Sequence, residues 1–250
     1  MAKKRLRAAD MFAGAGGMTT GAEQSGIDVV AALNHAELAL RTHERNHPKT
    51  KHLECDAQQV DPRWYRDVIP DIDVLMASPA CQGHSDAATK GGTGKRGTAK
   101  THEQLRATAL TITAALDGLK DRRALPKLLV IENVPGFTQW SHTPDSKDGS
   151  QYRWWISGIE GYGYKVTEAV LNAADTGVVP QDRKRLFIVG SLKAKVEIPP
   201  LEGEHVGFDC CVELDAGDWT PVSDTSGQTQ DRAKRGRKKL EDKEVRRETP

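Results

Sequence analysis

The sequence contains few cysteines and no long apolar run, and both absences restrict the class of protein it encodes. The four cysteines, Cys55, Cys81, Cys210 and Cys211, form neither a disulfide ladder nor a CxxC metal pair. No stretch approaches the roughly 20 apolar residues that a membrane-spanning helix needs. The basic first residues are not followed by the apolar core of a secretory signal. We therefore predict a reduced, cytoplasmic protein with no metal site and no membrane partner.

An excess of one charge is also missing. The chain has 36 Lys and Arg against 35 Asp and Glu, which gives a formal net charge of +1. This balance excludes a global polycation, so any affinity for nucleic acid has to come from local basic patches. Residues 231–250 form one such patch, with nine basic residues against five acidic ones.

Segments of strand and helix character alternate over most of the chain. The strand-like segments are 5–12, 27–33, 51–55, 71–77, 127–131, 164–171 and 185–191. The helix-like segments are 17–26, 36–46, 102–120 and about 150–160. This alternation predicts an α/β fold with a doubly wound, mostly parallel, Rossmann-like sheet that binds ligands at the carboxyl ends of its strands. Since residues 201–250 are polar and weakly periodic, we predict one domain over 1–200 and a separate region over 201–250.

Three predicted strand ends carry groups that suit a nucleoside. The turn 12–17 (FAGAGG) follows the first strand and opens the first helix, where glycines allow a ligand to approach the backbone. Asn34 and His35 end the second strand, and Asp56 follows the third. An adenosine laid across these strand ends would explain all of them. A tight turn without a ligand and a surface histidine remain the alternatives.

Three further segments carry reactive side chains at strand ends. Cys81 lies in SPACQ after an apolar strand, Glu132 lies in IENV, and the segment 181–185 (QDRKR) precedes the last strand. The alternatives are a buried cysteine, a glutamate that caps the next turn, and a solvated row of arginines. Arginine is also suited to binding a carbonyl oxygen, because it is planar and always charged.

The motifs DMFAGAGG, SPACQ, IENV and QDRKRLFIVG, in this order, resemble those of the cytosine-C5 DNA methyltransferases. The resemblance covers about residues 5–191. It implies the class I fold of S-adenosylmethionine-dependent methyltransferases and methyl transfer from that cofactor to C5 of cytosine. It also implies double-stranded DNA with a flipped cytosine as substrate, and a place in restriction–modification in the cytoplasm of a bacterium or of a phage-infected bacterium.

The resemblance assigns a role to each reactive residue. Cys81 resembles the nucleophile that adds to C6 of the ring, and Glu132 resembles the acid that binds N3. Arg185 resembles the arginine at O2, with Arg183 in support. The cofactor contacts that the resemblance implies are Phe12, Gly14, Gly16, Gly17, His35, Asp56 and Pro79.

The sequence departs from the family pattern in four places. Ala80 stands where the family usually has proline before the nucleophile, and His35 stands where it usually has the glutamate that binds ribose. The turn 177–181 is one residue longer than usual. The resemblance implies that 1–200 is the catalytic, S-adenosylmethionine-binding domain and that 201–250 is the start of an incomplete target-recognition region with a basic tail. Residues 192–250 carry neither of the two motifs that normally follow, so we expect a split enzyme completed by a second chain, a fragment, or a chain without activity.

Two other functions remain open at this point. One branch of the family methylates cytosine C5 in tRNA, and this chain shares the motifs needed for that reaction. A degenerate, non-catalytic homologue that binds DNA or regulates another protein would explain the two missing motifs. The full set of reactive residues argues against the degenerate homologue, and substrate competition between DNA and RNA would separate the other two.

Overall fold

One mixed sheet organises residues 4–80, 107–143, 146–179 and 181–203, which are the residues that the computed structural model describes. In that part of the chain the sheet has seven strands in the order β3-β2-β1-β4-β5-β7-β6. The strands are β1 Arg7–Met11, β2 Asp28–Asn34, β3 Lys51–Glu54, β4 Val74–Ala77, β5 Leu128–Asn133, β6 Lys165–Asn172 and β7 Lys184–Ser191.

Five helices in the described residues connect these strands. They are α1 Gly17–Gln24, α2 Glu37–Asn46, α3 Pro62–Val68, α4 Leu110–Asp121 and α5 Ser150–Glu160. Short 3-10 turns occur at Ala107–Ala109, Pro135–Gln139 and Ala173–Thr176. None of the helices in this part of the chain is long and apolar enough to cross a bilayer.

The parallel part of the sheet explains why the predicted site residues converge. Strand β1 pairs in parallel with β2 and β4, β2 with β3, and β4 with β5. Only β7 runs against its neighbours, β5 and β6. The carboxyl ends of β1 to β5 therefore share one edge, and the predicted doubly wound, mostly parallel fold is confirmed.

Every strand of this sheet was predicted from the sequence, but helix α3 was not. That helix begins with Pro62, and the Asp61 side chain accepts hydrogen bonds from the backbone N–H groups of Arg63 and Trp64. An aspartate followed by proline is a known start signal for a helix. The predicted helix at 102–120 corresponds to α4, which begins at Leu110 after the 3-10 turn Ala107–Ala109. Residues 101–106 lie outside the described part of the chain. The predicted boundary near 200 stays a prediction, because 204–250 also lie outside.

The two faces of the sheet carry cores of different size. The larger core packs helices α3, α4 and α5 against the strands, with Tyr65, Leu116 and Trp155 almost fully buried. The smaller core lies under α1 and includes Ala22 and Met76. Because both faces of such a sheet need cover, the smaller core leaves apolar surface that is less well protected.

An apolar groove runs beside this smaller core. Its volume is about 520 Å³, and α1, β4, β5 and β7 line it. Val130 of β5 and Phe187 of β7 form part of its wall and are only half-buried. Glu132 lies on the same groove.

Helices α3 and α4 touch so closely at Gly118 that no side chain fits there. A Cβ at this position would lie 2.0 Å from the carbonyl oxygen of Pro62. We predict that Gly118→Ala lowers the free energy of unfolding by about 3 kcal/mol, because backbone must move to remove the overlap. Urea unfolding followed by circular dichroism measures the change.

Gly158 in α5 is the matched control. It is exposed, and a Cβ there would meet nothing within 4 Å. Gly158→Ala should raise the free energy of unfolding by up to about 1 kcal/mol, because alanine favours the helix. Similar losses in both variants would contradict the proposed close contact.

Candidate active site

A cavity of about 350 Å³ lies at the carboxyl ends of β1, β2 and β3. It brings together four positions that the sequence analysis selected: Phe12, Asn34, His35 and Asp56. Its remaining lining residues are Met11, Leu33, Cys55, Ala57, Gln58, Ala80 and Thr108. The three strand ends therefore do form one site, as the alternation of strands and helices predicts.

Phe12 adopts a backbone conformation that is rare for a residue with a side chain. Its φ is +62°, in the left-handed region. The next residue, Ala13, donates its backbone N–H to the carbonyl of Leu33 at 3.1 Å, which ties the turn to β2. Strained backbone of this kind concentrates at ligand sites, where the surrounding structure holds it in place.

Two of the three glycines in the turn are required by the backbone or by close packing. Gly14 and Gly16 have φ values of +55° and +102°, which favour glycine. A Cβ on Gly16 would also lie 2.7 Å from the ring of His47, whereas one on Gly17 would meet nothing within 4 Å. None of the three lines the cavity as described above. Their predicted contact with the methionine part of the cofactor stays a prediction.

The Asp56 carboxylate is oriented by the residues that follow it. One oxygen accepts from the backbone N–H of Gln58 at 3.0 Å, and the other accepts from the Gln59 side chain at 2.8 Å. A carboxylate oxygen can accept more than one hydrogen bond, so both retain capacity for a ligand. His35 is exposed, while Asn34 before it is buried and accepts from the N–H of Ala36.

Cys55 is a cavity residue that the sequence analysis did not select. Burial, together with the neighbouring Asp56 carboxylate, raises the pKa of its thiol to about 11. The thiol is therefore neutral at physiological pH and is a weak nucleophile. The only indication in the sequence that Cys55 lines the cavity was its position directly before Asp56.

The segment before Cys81 is well fixed, although Cys81 itself lies outside the described residues. The segment 83–101 also lies outside them; with its four Lys and Arg residues among glycines, it resembles the loop that closes over DNA in the family. Ser78 donates its backbone N–H to the Met11 carbonyl at 3.1 Å. The Asn133 side chain donates to the Pro79 carbonyl at 3.2 Å. Pro79 is buried and does not line the cavity, whereas Ala80 does.

Glu132 and Arg185 form an ion pair. The Arg185 Nε lies 2.9 Å from Glu132 Oε1, and the two side chains are 20% and 24% exposed. The antiparallel pairing of β5 with β7 brings them together from positions 53 residues apart in sequence. Arg183 is exposed, and its backbone N–H donates to the Asn172 side chain at 2.9 Å. Its predicted support of Arg185 stays a prediction.

A buried polar network lies behind the glycine turn, and the sequence analysis missed it. Thr19 donates its hydroxyl to Asp10 at 2.8 Å and contacts Nε2 of His43 at 3.0 Å. Nδ1 of His43 lies 2.8 Å from Nε2 of His52. Because the Thr19 hydrogen points to Asp10, its oxygen accepts from His43 Nε2–H, which leaves Nδ1 to accept from His52.

His47 completes this network on the side of the turn. Its Nδ1 lies 2.9 Å from the Glu23 carboxylate, and its Nε2 lies 3.2 Å from the Thr20 hydroxyl. Its ring lies 4.7 Å from that of His43 and fills the space that a side chain at Gly16 would need. His43 lies in α2, His47 directly follows that helix and His52 lies in β3, so only the packing of these elements together brings the three rings into one network.

Burial sets the protonation of the network. It raises the pKa of Asp10 to about 7, and the hydrogen bond from Thr19 partly opposes it. Burial also lowers the pKa of His43 to about 4, and the neighbouring His47 and His52 add to this effect. Both groups thus favour their neutral forms. Among the described residues, no group of three or more His, Cys, Asp or Glu side chains is arranged to hold a metal ion.

Comparison with known proteins places these features in a family. The sequence model of the family described as C-5 cytosine-specific DNA methylase matches residues 6–245, beyond the end of the motif resemblance at 191. Type II methyltransferase M.XorII of Xanthomonas oryzae pv. oryzae is 34% identical over 190 residues, which is 74% of this chain and 40% of that protein. Type II methyltransferase M.MthTI of Methanothermobacter thermautotrophicus is 32% identical over 196 residues, or 76% of this chain and 51% of that protein.

The lengths of these relatives differ from that of this chain. The chain spans about half the length, or less, of M.XorII and M.MthTI. Type II methyltransferase M.AquIA of Picosynechococcus is 31% identical over 196 residues, and there the match covers 74% of this chain and 71% of the relative.

Solved structures agree on the fold. The S. pombe Dnmt2 methyltransferase matches with a TM-score of 0.56 and 23% identity, over 78% of this chain and 52% of that chain. A putative DNA modification methyltransferase of an E. coli prophage matches with a TM-score of 0.58 and 24% identity, over 81% and 53%. At these identities the likeness establishes the class I methyltransferase fold and nothing further.

The buried network predicts two opposite effects of pH on stability. The folded pKa of His43 lies below its unfolded value of 6.5, so its contribution to stability is lost as the pH falls from 6.5 to 4. The folded pKa of Asp10 lies above its unfolded value of 3.8, so its contribution is lost as the pH rises from about 4 to 7.

Single variants should separate the two effects. Relative to the unaltered protein, His43→Gln should gain unfolding free energy as the pH falls from 6.5 to 4, by on the order of 3 kcal/mol. Asp10→Asn should show the opposite trend over the same range. Urea unfolding at a series of pH values measures both, and parallel curves for all three proteins would contradict the assignment.

Proposed function

Because this chain belongs to the C-5 cytosine-specific DNA methylase family, we propose that it transfers a methyl group from S-adenosylmethionine to C5 of cytosine in DNA. The observation that carries the proposal is the convergence of two sites at one sheet edge. The cavity with Phe12, His35 and Asp56 lies beside Ala80, which directly precedes Cys81. A cofactor in that cavity and a base at Cys81 would therefore be neighbours.

The cavity residues fit an adenosine. An aromatic ring at Phe12 offers a stacking surface for adenine, and the Asp56 carboxylate offers acceptors for its amino group. His35 and Asn34 lie where ribose hydroxyls would be bound. The volume of about 350 Å³ is within the usual range for small-molecule sites. Gly14, Gly16, Gly17 and Pro79 would border the methionine part. When bound, S-adenosylmethionine supplies an electrophilic methyl group on a sulfonium.

Cys81 provides the nucleophile in this proposal. C5 of cytosine is too weak a nucleophile to react by itself. The Cys81 thiolate forms a bond to C6, and the electron pair of the C5–C6 double bond moves onto C5, which becomes able to accept the methyl group. Once C5 carries the methyl group, its proton passes to water, the freed electron pair restores the C5–C6 double bond, and the bond between Cys81 and C6 breaks, so the thiolate is regenerated.

Glu132 and Arg185 bind the edge of the ring. When the base binds, the Glu132 carboxylate takes up a proton from solvent and donates it to N3 in a hydrogen bond, and the Arg185 guanidinium donates to O2, with Arg183 supporting it. The two groups already lie 2.9 Å apart, which matches the closeness of N3 and O2 on one ring edge. Both contacts withdraw electron density from the ring and so promote attack at C6.

The substrate in this proposal is double-stranded DNA with its target cytosine flipped out of the stack. C6 is not accessible to a thiol inside a duplex, and flipping costs a few kcal/mol. The basic residues of the segment 83–101 would contact phosphates, which makes binding depend on salt. A tRNA substrate is the alternative that a competition experiment separates.

A second chain is part of the proposal. The groove of about 520 Å³ beside α1 exposes apolar surface of β5 and β7, including Val130 and Phe187. An amphipathic helix from another polypeptide would bury this surface, and it would sit next to Glu132. The match covers only 40% of M.XorII and 51% of M.MthTI, so these relatives carry further sequence that can supply such a helix.

Aromatic stacking at Phe12 gives a test that does not need activity. Phe12→Leu should weaken binding of S-adenosylmethionine about 10-fold or more, because stacking on an aromatic ring contributes about 1–3 kcal/mol. Phe12→Tyr keeps the ring and should bind within about 3-fold of the unaltered chain. Isothermal titration calorimetry measures both, and equal binding by the leucine and tyrosine variants would contradict the assignment of the cavity.

Methyl transfer tests the function itself. The chain, alone and together with the protein that co-purifies with it from its source cells, is incubated with DNA or tRNA and isotopically labelled S-adenosylmethionine. We expect labelled 5-methylcytosine in DNA, complete loss with Cys81→Ser, and retention with Cys55→Ser, since the Cys55 thiol is a weak nucleophile.

The arms of this experiment separate the proposals. Label formed by the chain alone would establish the enzyme and overturn the need for a second chain. Label in tRNA only would move the substrate to RNA. No label in any arm, together with no cofactor binding, would overturn the function in favour of a non-catalytic, DNA-binding or regulatory protein.

A further inference from the structure

The three residues before Cys81 are each held by a different part of the fold. Ser78 is bonded to β1 through the Met11 carbonyl, and Pro79 is bonded to the Asn133 side chain at the end of β5. Ala80 donates its backbone N–H to the hydroxyl oxygen of Thr108 at 3.0 Å. This third bond reaches the 3-10 turn Ala107–Ala109, which leads into α4.

The third bond exists only because residue 80 is not proline. Proline has no backbone N–H, so a proline here could not make this bond. Ala80 is half-buried, and a buried N–H without an acceptor costs about 1–3 kcal/mol. The alanine therefore makes the backbone less stiff than the proline that the family usually has at this position. It also supplies the N–H that donates a hydrogen bond to Thr108.

Thr108 stands on a rigid support. Its own carbonyl accepts a hydrogen bond from the Thr111 hydroxyl at 2.7 Å. The next residue, Ala109, is almost fully buried, and its carbonyl accepts from the indole N–H of Trp155 at 3.1 Å. Through Trp155 the turn is fixed to α5 and to the larger core. Thr108 and Ala80 also both line the 350 Å³ cavity.

We propose that Thr108 is a positioning residue for the nucleophile, and that its hydrogen bond to Ala80 replaces the stiffness that a proline would provide. This proposal rests on the proposed function, in which Cys81 attacks C6. The bond fixes the peptide plane between Pro79 and Ala80, directly before Cys81 in sequence and beside the cofactor cavity. Its loss should misplace the thiol while the proposed cofactor contacts of Phe12, His35 and Asp56 stay in place, and small misplacements of reacting groups reduce rates strongly.

A double-mutant cycle tests this inference. Thr108→Val removes the hydroxyl at nearly constant volume, and Ala80→Pro removes the donor. With Ala80 present, Thr108→Val should lower kcat about 10-fold and change KM for S-adenosylmethionine less than about 2-fold, as expected for one lost hydrogen bond at a reacting group. In the Ala80→Pro background the same substitution should change kcat less than about 2-fold. Thr108→Ser retains the hydroxyl and should recover most of the lost rate.

Two outcomes would overturn the proposal. An equal loss from Thr108→Val in the alanine and proline backgrounds would show that Thr108 acts elsewhere. A Thr108→Ser variant as slow as Thr108→Val would show that the hydroxyl is not the cause. Thermal unfolding of each variant confirms that the losses compare folded proteins.

Two further readouts keep this inference separate from the proposed function. Amide hydrogen exchange at Ala80 should be slow in the unaltered chain and faster in Thr108→Val, and the rate of Cys81 alkylation by iodoacetamide should change with it. Both measurements are independent of methyl transfer. If the unaltered chain transfers no methyl group, these two changes would still support the bond as a positioning contact, and unchanged exchange and alkylation would overturn it.

Discussion

Parallel pairing of the central strands is the constraint on which the rest of the site depends. Strand β1 pairs with β2 on one side and β4 on the other, and all three run in the same direction. Residues that are far apart in sequence are therefore delivered to one edge at fixed spacing. Phe12, His35 and Asp56 meet at a cavity for this reason, and Ala80 joins them from β4.

The antiparallel strand β7 adds what the parallel strands cannot. It brings Arg185 back to the carboxyl end of β5, where Glu132 lies, and the two side chains pair at 2.9 Å. One sheet edge thus carries both the cavity and the ion pair, to which the proposed function assigns the nucleoside of the cofactor and the edge of the base. The backbone between them, 78–80, is bonded on three sides before it reaches Cys81.

The sequence was sufficient for features that repeat at short range. Apolar runs and glycine turns predicted all seven strands, and motifs at strand ends predicted which of them would share a site. It was not sufficient for contacts between distant segments. The bond from Ala80 to Thr108 spans 28 residues, and the packing of His47 under Gly16 depends on how α1 meets α2. No local pattern encodes such contacts, and the short helix α3 was missed although its start signal, Asp61 before Pro62, is local.

The ion pair between Glu132 and Arg185 also affects how a nucleic acid would approach. Two opposite charges 2.9 Å apart cancel at a distance, so this part of the edge projects almost no field into solution. The chain as a whole adds little, because its net charge is only +1. Under the proposed function, long-range steering of DNA would therefore fall to local basic segments, and the pair would act on a base only after contact has been made.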